Sequence, residues 1–275
     1  MYNIYMKIPE VLNRRNRILL NELTKTDFKL RYQGSVLGYM WAIIRPLLMF
    51  GILYLVFAKF LRFGDSIPFY PVSLLVGTVL WNFFMECTNQ GIQSLIIRSD
   101  LMRKICFKKW IIVLSATTTA LINLSINLVV VVLFALLSGV PVTLNWLIVP
   151  VLIFELYMLS FGLALLLGSI NVKYRDIQSI WEVLTQALFY AIPIIYPLQM
   201  VMGYGTGFAN IIMLNPIAQV IQDIRYNLIT NETTTGWEVI NSPILKFIPI
   251  IIVVIIFTCG WLVFKKKSKY FAEEI

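Results

Sequence analysis

WIIVLSATTTALINLSINLVVVVLFALL, running from Trp110 to Leu137, contains no charged side chain. A hydrocarbon core of about 30 Å is crossed by about 20 apolar residues in an α-helix, so this stretch is longer than one crossing requires. Outward from it lie five more apolar stretches: Tyr39–Leu61 and Phe69–Ile92 before it, Leu144–Ile170, Ile177–Met200 and Phe247–Phe264 after it. Each reaches or nearly reaches the same length. Hydrophobic residues make up 59% of the 275 residues and charged residues 13%, which leaves lipid as the main solvent. The sequence therefore predicts an all-α membrane protein with six transmembrane helices.

The basic residues set the threading. Lys7, Arg14, Arg15, Arg17, Lys25, Lys29 and Arg31 precede span 1, and Arg98, Arg103, Lys104, Lys108 and Lys109 join spans 2 and 3. Lys173 and Arg175 lie between spans 4 and 5, and Lys265, Lys266, Lys267 and Lys269 follow span 6. Only Lys59, Arg62, Arg225 and Lys246 fall in the alternate connections, with Arg45 inside span 1. Lys and Arg accumulate in cytoplasmic loops, so both termini of a multi-pass protein are expected in the cytoplasm. The net charge of +9 is then a topology signal with a weak pull on anionic lipid headgroups. Its scatter over four segments argues against a nucleic-acid surface. The polar first 37 residues have the wrong order for a cleavable secretory signal.

Bond-making chemistry finds little support. The chain has no His, which removes the commonest general base and the commonest metal ligand. No Cys or carboxylate cluster has metal-ligand spacing, and Cys87, Cys106 and Cys259 are odd in number, so neither a metal site nor a disulfide framework is implied. A G-x-x-x-x-G-K-[ST] loop is absent, so the chain cannot cradle a nucleotide in the P-loop manner. Transport or scaffolding fits better.

Residues 1–37 read as a cytoplasmic amphipathic helix lying against the membrane, with Leu12, Leu19, Leu23 and Leu30 on one stripe and Arg14, Arg15, Arg17 and Lys25 off it. Residues 38–275 then form the six-span domain. At their junction stands Arg31-Tyr32-Gln33-Gly34-Ser35-Val36-Leu37-Gly38-Tyr39-Met40-Trp41-Ala42-Ile43-Ile44-Arg45-Pro46. Gly34 and Gly38 are spaced for close helix approach, Tyr39 and Trp41 for headgroup depth, and Pro46 for a kink. The pattern of Tyr32, Ser35, Leu37, Gly38, Trp41 and Pro46 resembles the permease subunits of type 2 ABC exporters. Within that group it is most similar to those moving polysaccharides such as O-antigens, capsules and wall teichoic acids.

Three further stretches extend the resemblance over nearly the whole chain. In the 2–3 connection Ile97, Leu101 and Ile105 share a helical face, with Arg103 and Lys104 alongside. The resemblance makes this the coupling helix that docks on an ATPase subunit, through Ile97, Arg98, Leu101, Arg103 and Lys104. A solvated basic loop is the plainer reading. The family pattern follows this helix with a Phe-Pro-like dipeptide, whereas here Phe107 precedes Lys108. The resemblance makes Tyr174-Arg175-Asp176 in the 4–5 turn a second family mark at the ATPase face, with Asp176 placed to cap span 5; a structural turn without a transport role is the other reading.

Span 5 ends in Pro193 and Pro197, which remove two amide donors and break regular helix. Non-helical backbone at membrane depth must be covered by protein or line a wet cavity. Asn215-Pro216 then starts a helix, Asn as N-cap and Pro at its first position. The resemblance makes Pro193, Pro197, Asn215 and Pro216 part of re-entrant gate helices; a helix on the outer surface is the other reading.

Glu155 falls near the bilayer centre, where a carboxylate must face protein or water. Arg45 and Glu86 both fall toward the cytoplasmic half, in position to pair. Tyr39, Trp41, Phe50, Tyr54 and Phe57 mark span 1, and Trp181, Phe189, Tyr190 and Tyr196 mark span 5. Sugar rings stack on aromatic faces, and the resemblance places spans 1 and 5 along the substrate path; packing or an interfacial belt is the commoner use of such residues. The resemblance further implies a second copy of the chain, two separate ATPase subunits that bind ATP and Mg, a lipid-linked polysaccharide as substrate, and no cofactor in this chain. A teichoic acid, lipo-oligosaccharide or drug as substrate, and an ion-coupled secondary carrier, are the alternatives.

Overall fold

The computed structural model describes residues 14–64, 68–240 and 242–271, and their regular structure is helical throughout. Helix α1 (Arg14–Tyr32) leads into Gly34 and Gly38, whose φ angles are +81° and +49°. Among the described residues nothing lies within 4 Å of where a side chain would begin at either glycine. They serve to turn the chain through left-handed backbone. The close helix approach expected of them is not seen.

Span 1 is composite: a 3-10 turn at Gly38–Met40, helix α2 (Trp41–Leu53) with Pro46 inside it, and a π-helical continuation Tyr54–Phe60. Next come α3 (Tyr70–Ile97), the short α4 (Ser99–Lys104), α5 (Trp110–Leu137) and α6 (Val149–Asn171), the last entered through a 3-10 turn at Leu144–Ile148. Among the described residues five helices are long and apolar enough to cross a membrane: Gly38–Phe60, Tyr70–Ile97, Trp110–Leu137, Leu144–Asn171 and Leu245–Lys267.

The fifth expected span is the exception. Helix α7 (Ile177–Ala191) has 15 residues. At 1.5 Å per residue that is about 22 Å, short of a bilayer core of about 30 Å. Ile192 is extended, with φ −92° and ψ 143°, because a residue preceding proline is driven out of the α region. The unbroken helix expected over Ile177–Met200 is therefore not formed. Its remainder is a bent segment, residues 192–197, and the short α8 (Leu198–Met202).

The chain then folds back as α9 (Thr206–Met213), α10 (Pro216–Leu228) and α11 (Gly236–Val239) before α12 (Ile248–Lys267). The Asn215 side chain accepts the Ile217 amide at 2.9 Å, with Pro216 opening the helix. Helix α10 packs among α3, α6 and α12 and is buried along most of its length. It lies inside the helical body and not on its outer surface.

Helix α3 is the axis of the core, touching α2, α5, α6, α7 and α10. In its most apolar stretch 78% of the residues are buried against the rest of the chain; in span 1 the figure is 11%. Span 1 thus leaves much of its apolar surface for lipid or for another chain. A second, smaller core joins Leu95, Met102, Ile112, Phe161, Leu165, Phe264 and Phe271, and Lys109 Nζ donates to the Ser268 carbonyl at 2.6 Å beside it. Helix α1 packs along α5 with Leu23 and Thr24 buried, whereas Leu30 is 65% exposed. Its inward face is set by Asp27, which pairs with Arg98 just past α3, and by Arg31, which pairs with Glu86 of α3, and not by an unbroken leucine stripe. Leu12 and the Tyr32 side chain lie outside the described residues.

Candidate functional site

The break after α7 strands a run of carbonyls, since Pro193 and Pro197 supply no amide hydrogen. Every one from residue 190 to 195 is nevertheless satisfied. Tyr196 Oη donates to the Tyr190 and Ala191 carbonyls at 3.2 and 3.0 Å, and the Ile194 amide to the Ile192 carbonyl at 2.7 Å. Arg225 of α10 donates Nη1 to the Pro193 carbonyl and Nη2 to the Ile194 carbonyl, each at 2.7 Å. Tyr70 Oη donates to the Ile195 carbonyl. Leaving one such buried acceptor unmade costs about 1–3 kcal/mol, so these side chains make the bend tolerable.

Arg225 also donates Nε to the Ser73 carbonyl of α3 at 3.0 Å and is 5% exposed. It has no carboxylate within ion-pair distance among the described residues; carbonyl dipoles stabilise its charge. Gly77 makes the room, since a Cβ there would come within 2.5 Å of Arg225 Nη2. A cavity of about 30 Å³ borders Tyr70, Ser73, Tyr196, Gln222 and Arg225, large enough for a water or two. Sequence reasoning noticed Arg225 only as one of few basic residues in its part of the chain.

On the opposite face of α10, Gln219 Nε2 donates to Asp223 Oδ2, and Glu155 of α6 lies beside both. Asp223 and Arg225 point roughly 200° apart around the helix and do not pair. Buried oxygens of Glu155, Gln219 and Asp223 have no hydrogen-bond partner among the described residues. Glu155 therefore faces protein, as a carboxylate at that depth must. Glu86 does not take Arg45 as its partner. It accepts from Arg31, from Asn123 Nδ2 at 2.6 Å and from Gln90 Nε2 at 3.2 Å, while Arg45 is exposed. Helix α1 brings Arg31 to Glu86 before Arg45 can reach it.

Helix α7 turns only Trp181 and Thr185 fully inward. Gln178, half-buried, and Glu182 and Gln186, exposed, stand one turn apart as a polar row, with Gln178 Nε2 donating to Glu182 Oε1 at 3.0 Å. The sequence reading missed this row. The aromatic set divides. Trp181 is buried, donating Nε1 to Thr88 Oγ1 at 3.0 Å and packing on Phe84, so it is engaged in the fold. Phe189 packs on Trp81, Phe50 lies between Tyr54 and Phe134, and Phe57 meets Phe63. Tyr39, Trp41 and Tyr190 are exposed.

At the other end of the bundle the chain breaks at Arg98, with φ −107° and ψ 27°, between α3 and α4. The expected single face of Ile97, Leu101 and Ile105 is thereby split: Ile97 ends α3 and is 72% exposed, Leu101 is half-buried, Ile105 is exposed, and Met102 fills the inward place. Arg98 turns back to Asp27 and the Leu23 carbonyl of α1. Arg103 and Lys104 are exposed, as are Tyr174, Arg175 and Asp176. Lys173 sits over the Tyr174 ring at 5.5 Å. Asp176 occupies the N-cap position of α7, but its side chain makes no capping bond.

A bundle of membrane-length helices, one of them lightly covered and another broken before Pro193, has the build of a multi-pass membrane protein. Residues 19–229 match the ABC-2 type transporter family, and the chain belongs to that family. It is 30% identical to an O-antigen export system permease protein RfbA of Klebsiella pneumoniae over 256 residues, 93% of this chain and 94% of the relative. It is also 30% identical to the RfbA permease protein of Myxococcus xanthus over 207 residues, 74% of this chain and 78% of that one.

Proposed function

We propose that this chain is the membrane-spanning subunit of an ATP-driven exporter that moves a lipid-linked polysaccharide outward across the bacterial cytoplasmic membrane. The observation that carries the reading is the outward face of α7. Exposed Glu182 and Gln186 there are unstable against hydrocarbon and call for water, polar substrate or protein beside them. Span 1, hardly buried in its own chain, calls for a neighbour as well. Two copies related by a twofold axis meet both demands, with α7 and span 1 lining a conduit between them. Exposed Tyr39, Trp41 and Tyr190 offer ring faces to sugars there. Near-complete alignment with relatives named as O-antigen export permeases supports the substrate class.

In this reading α7, the bend and α10 together make the remaining crossing, with both termini in the cytoplasm, and Pro193, Pro197, Asn215 and Pro216 frame a gate. Two ATPase subunits seat on Arg103 and Lys104 of α4 and on Tyr174, Arg175 and Asp176, holding ATP and Mg themselves. Arg98 supports that surface from within, by tying α3 to α1. The chain supplies path and coupling contacts without bond chemistry. The test is co-purification followed by reconstitution: the chain is expected to retain a nucleotide-hydrolysing partner and, with it, to move a lipid-linked glycan in an ATP-dependent manner. Glycan movement indifferent to ATP would refute the reading.

A further inference from the structure

We infer that Arg225 is the positioning residue that fixes the broken end of span 5 to the helical core, so that α10 and the bend move as one body. The inference deepens the export reading above, because it assigns the part that holds the outward face of α7 in place. Three separate segments converge on one side chain: Ser73 of α3, Pro193 and Ile194 of the bend, and α10 itself, which carries the guanidinium. The planar fork of arginine donates in several directions at once, whereas the ammonium of lysine is a single compact donor group. Tyr70 adds a second tie from α3 to the same bend at Ile195.

Two features separate this arrangement from ordinary core packing. The buried guanidinium pairs with backbone carbonyls and not with an acid, so its hold depends on the bend keeping its present shape. Gly77 faces it with no side chain, and a water-sized cavity adjoins it. Bend, clasp and cavity lie together. When α7 shifts during transport, the Pro193 and Ile194 bonds are the ones that must be released or carried along.

Hydrogen–deuterium exchange on the purified full-length protein, paired with glycan moved per ATP hydrolysed in the reconstituted complex, tests this. Arg225→Gln removes the fork, and Gly77→Ala, on a different helix, pushes it aside. Both are expected to raise exchange in residues 192–202 by about tenfold, the loss of roughly one charge-assisted hydrogen bond, while α3 and α12 stay protected. Both are expected to lower glycan moved per ATP with the ATPase still bound. Arg225→Lys is expected to fall between Arg225→Gln and wild type. Wild-type exchange at the bend in both variants would overturn the inference while leaving the export reading untouched. General loss of protection through α3 and α12 in Gly77→Ala and Arg225→Lys alike would also overturn it, making Arg225 a folding residue only.

Discussion

Trp181 Nε1 donates to Thr88 Oγ1 at 3.0 Å, so the one indole of α7 is turned into its own chain and away from any conduit. Trp181→Ala is expected to cost about 3–5 kcal/mol of stability through the cavity it leaves. Tyr190→Ala, at a residue 67% exposed, is expected to stay within about 0.5 kcal/mol of wild type while lowering export. Thermal unfolding in detergent beside an export assay separates the two. Equal loss of stability in both variants would remove Tyr190 from the substrate path.

Arg103 and Lys104 are exposed on α4, whereas Arg98 is held by Asp27. Arg103→Glu combined with Lys104→Glu is expected to weaken ATPase association at least about tenfold while membrane insertion is unchanged, because two attractions become repulsions. Arg98→Ala is expected to act differently, loosening α1 and lowering stability. Pull-down yields and limited proteolysis of α1 report the two effects.

Glu86 gathers Arg31, Gln90 and Asn123, and Arg45 is not among them. Glu86→Leu strips three donors of their acceptor and is expected to destabilise by about 2 kcal/mol, discounted for the partial exposure of Arg31. Arg45→Ala is expected to leave stability within about 0.5 kcal/mol. A large destabilisation from Arg45→Ala would mean that Arg45 has a partner inside its own chain.

Glu155 lies beside Gln219 and Asp223 with an unpartnered buried oxygen, the place where a proton-coupled carrier would keep its acid. An ATP-driven exporter has no need of a titrating group there. Glu155→Gln keeps the shape and adds a donor, so export per ATP is expected within about twofold of wild type. Abolished export with normal folding would return Glu155 to the centre of the mechanism.

The long crossings were legible because hydropathy alone decides them. Trp110–Leu137 has the same bounds in sequence and structure, since no charge interrupts it and a basic connection precedes it. The end of span 5 was half legible. Pro193 announced a break, yet the apolar residues beyond it kept the predicted span running to Met200, because hydropathy does not register a missing amide. Arg225 was out of reach: its acceptor in α3 lies 152 positions away, and no local pattern marks a guanidinium that binds carbonyls. Gln178, Glu182 and Gln186 stood in plain helical spacing, but the apolar residues around them outweighed them in reading the span. Gly34 and Gly38 show the opposite error, a spacing rule applied where backbone conformation was the reason for glycine.

The proposed export requires a separate ATP-hydrolysing subunit to drive this chain. Vesicles containing the purified chain with and without that subunit, loaded with a lipid-linked glycan, test it most directly. Transport is expected only when subunit, ATP and Mg are all present, and an imposed proton or sodium gradient is expected to drive nothing in the chain alone. Sustained glycan accumulation by the chain alone under such a gradient would contradict the claim.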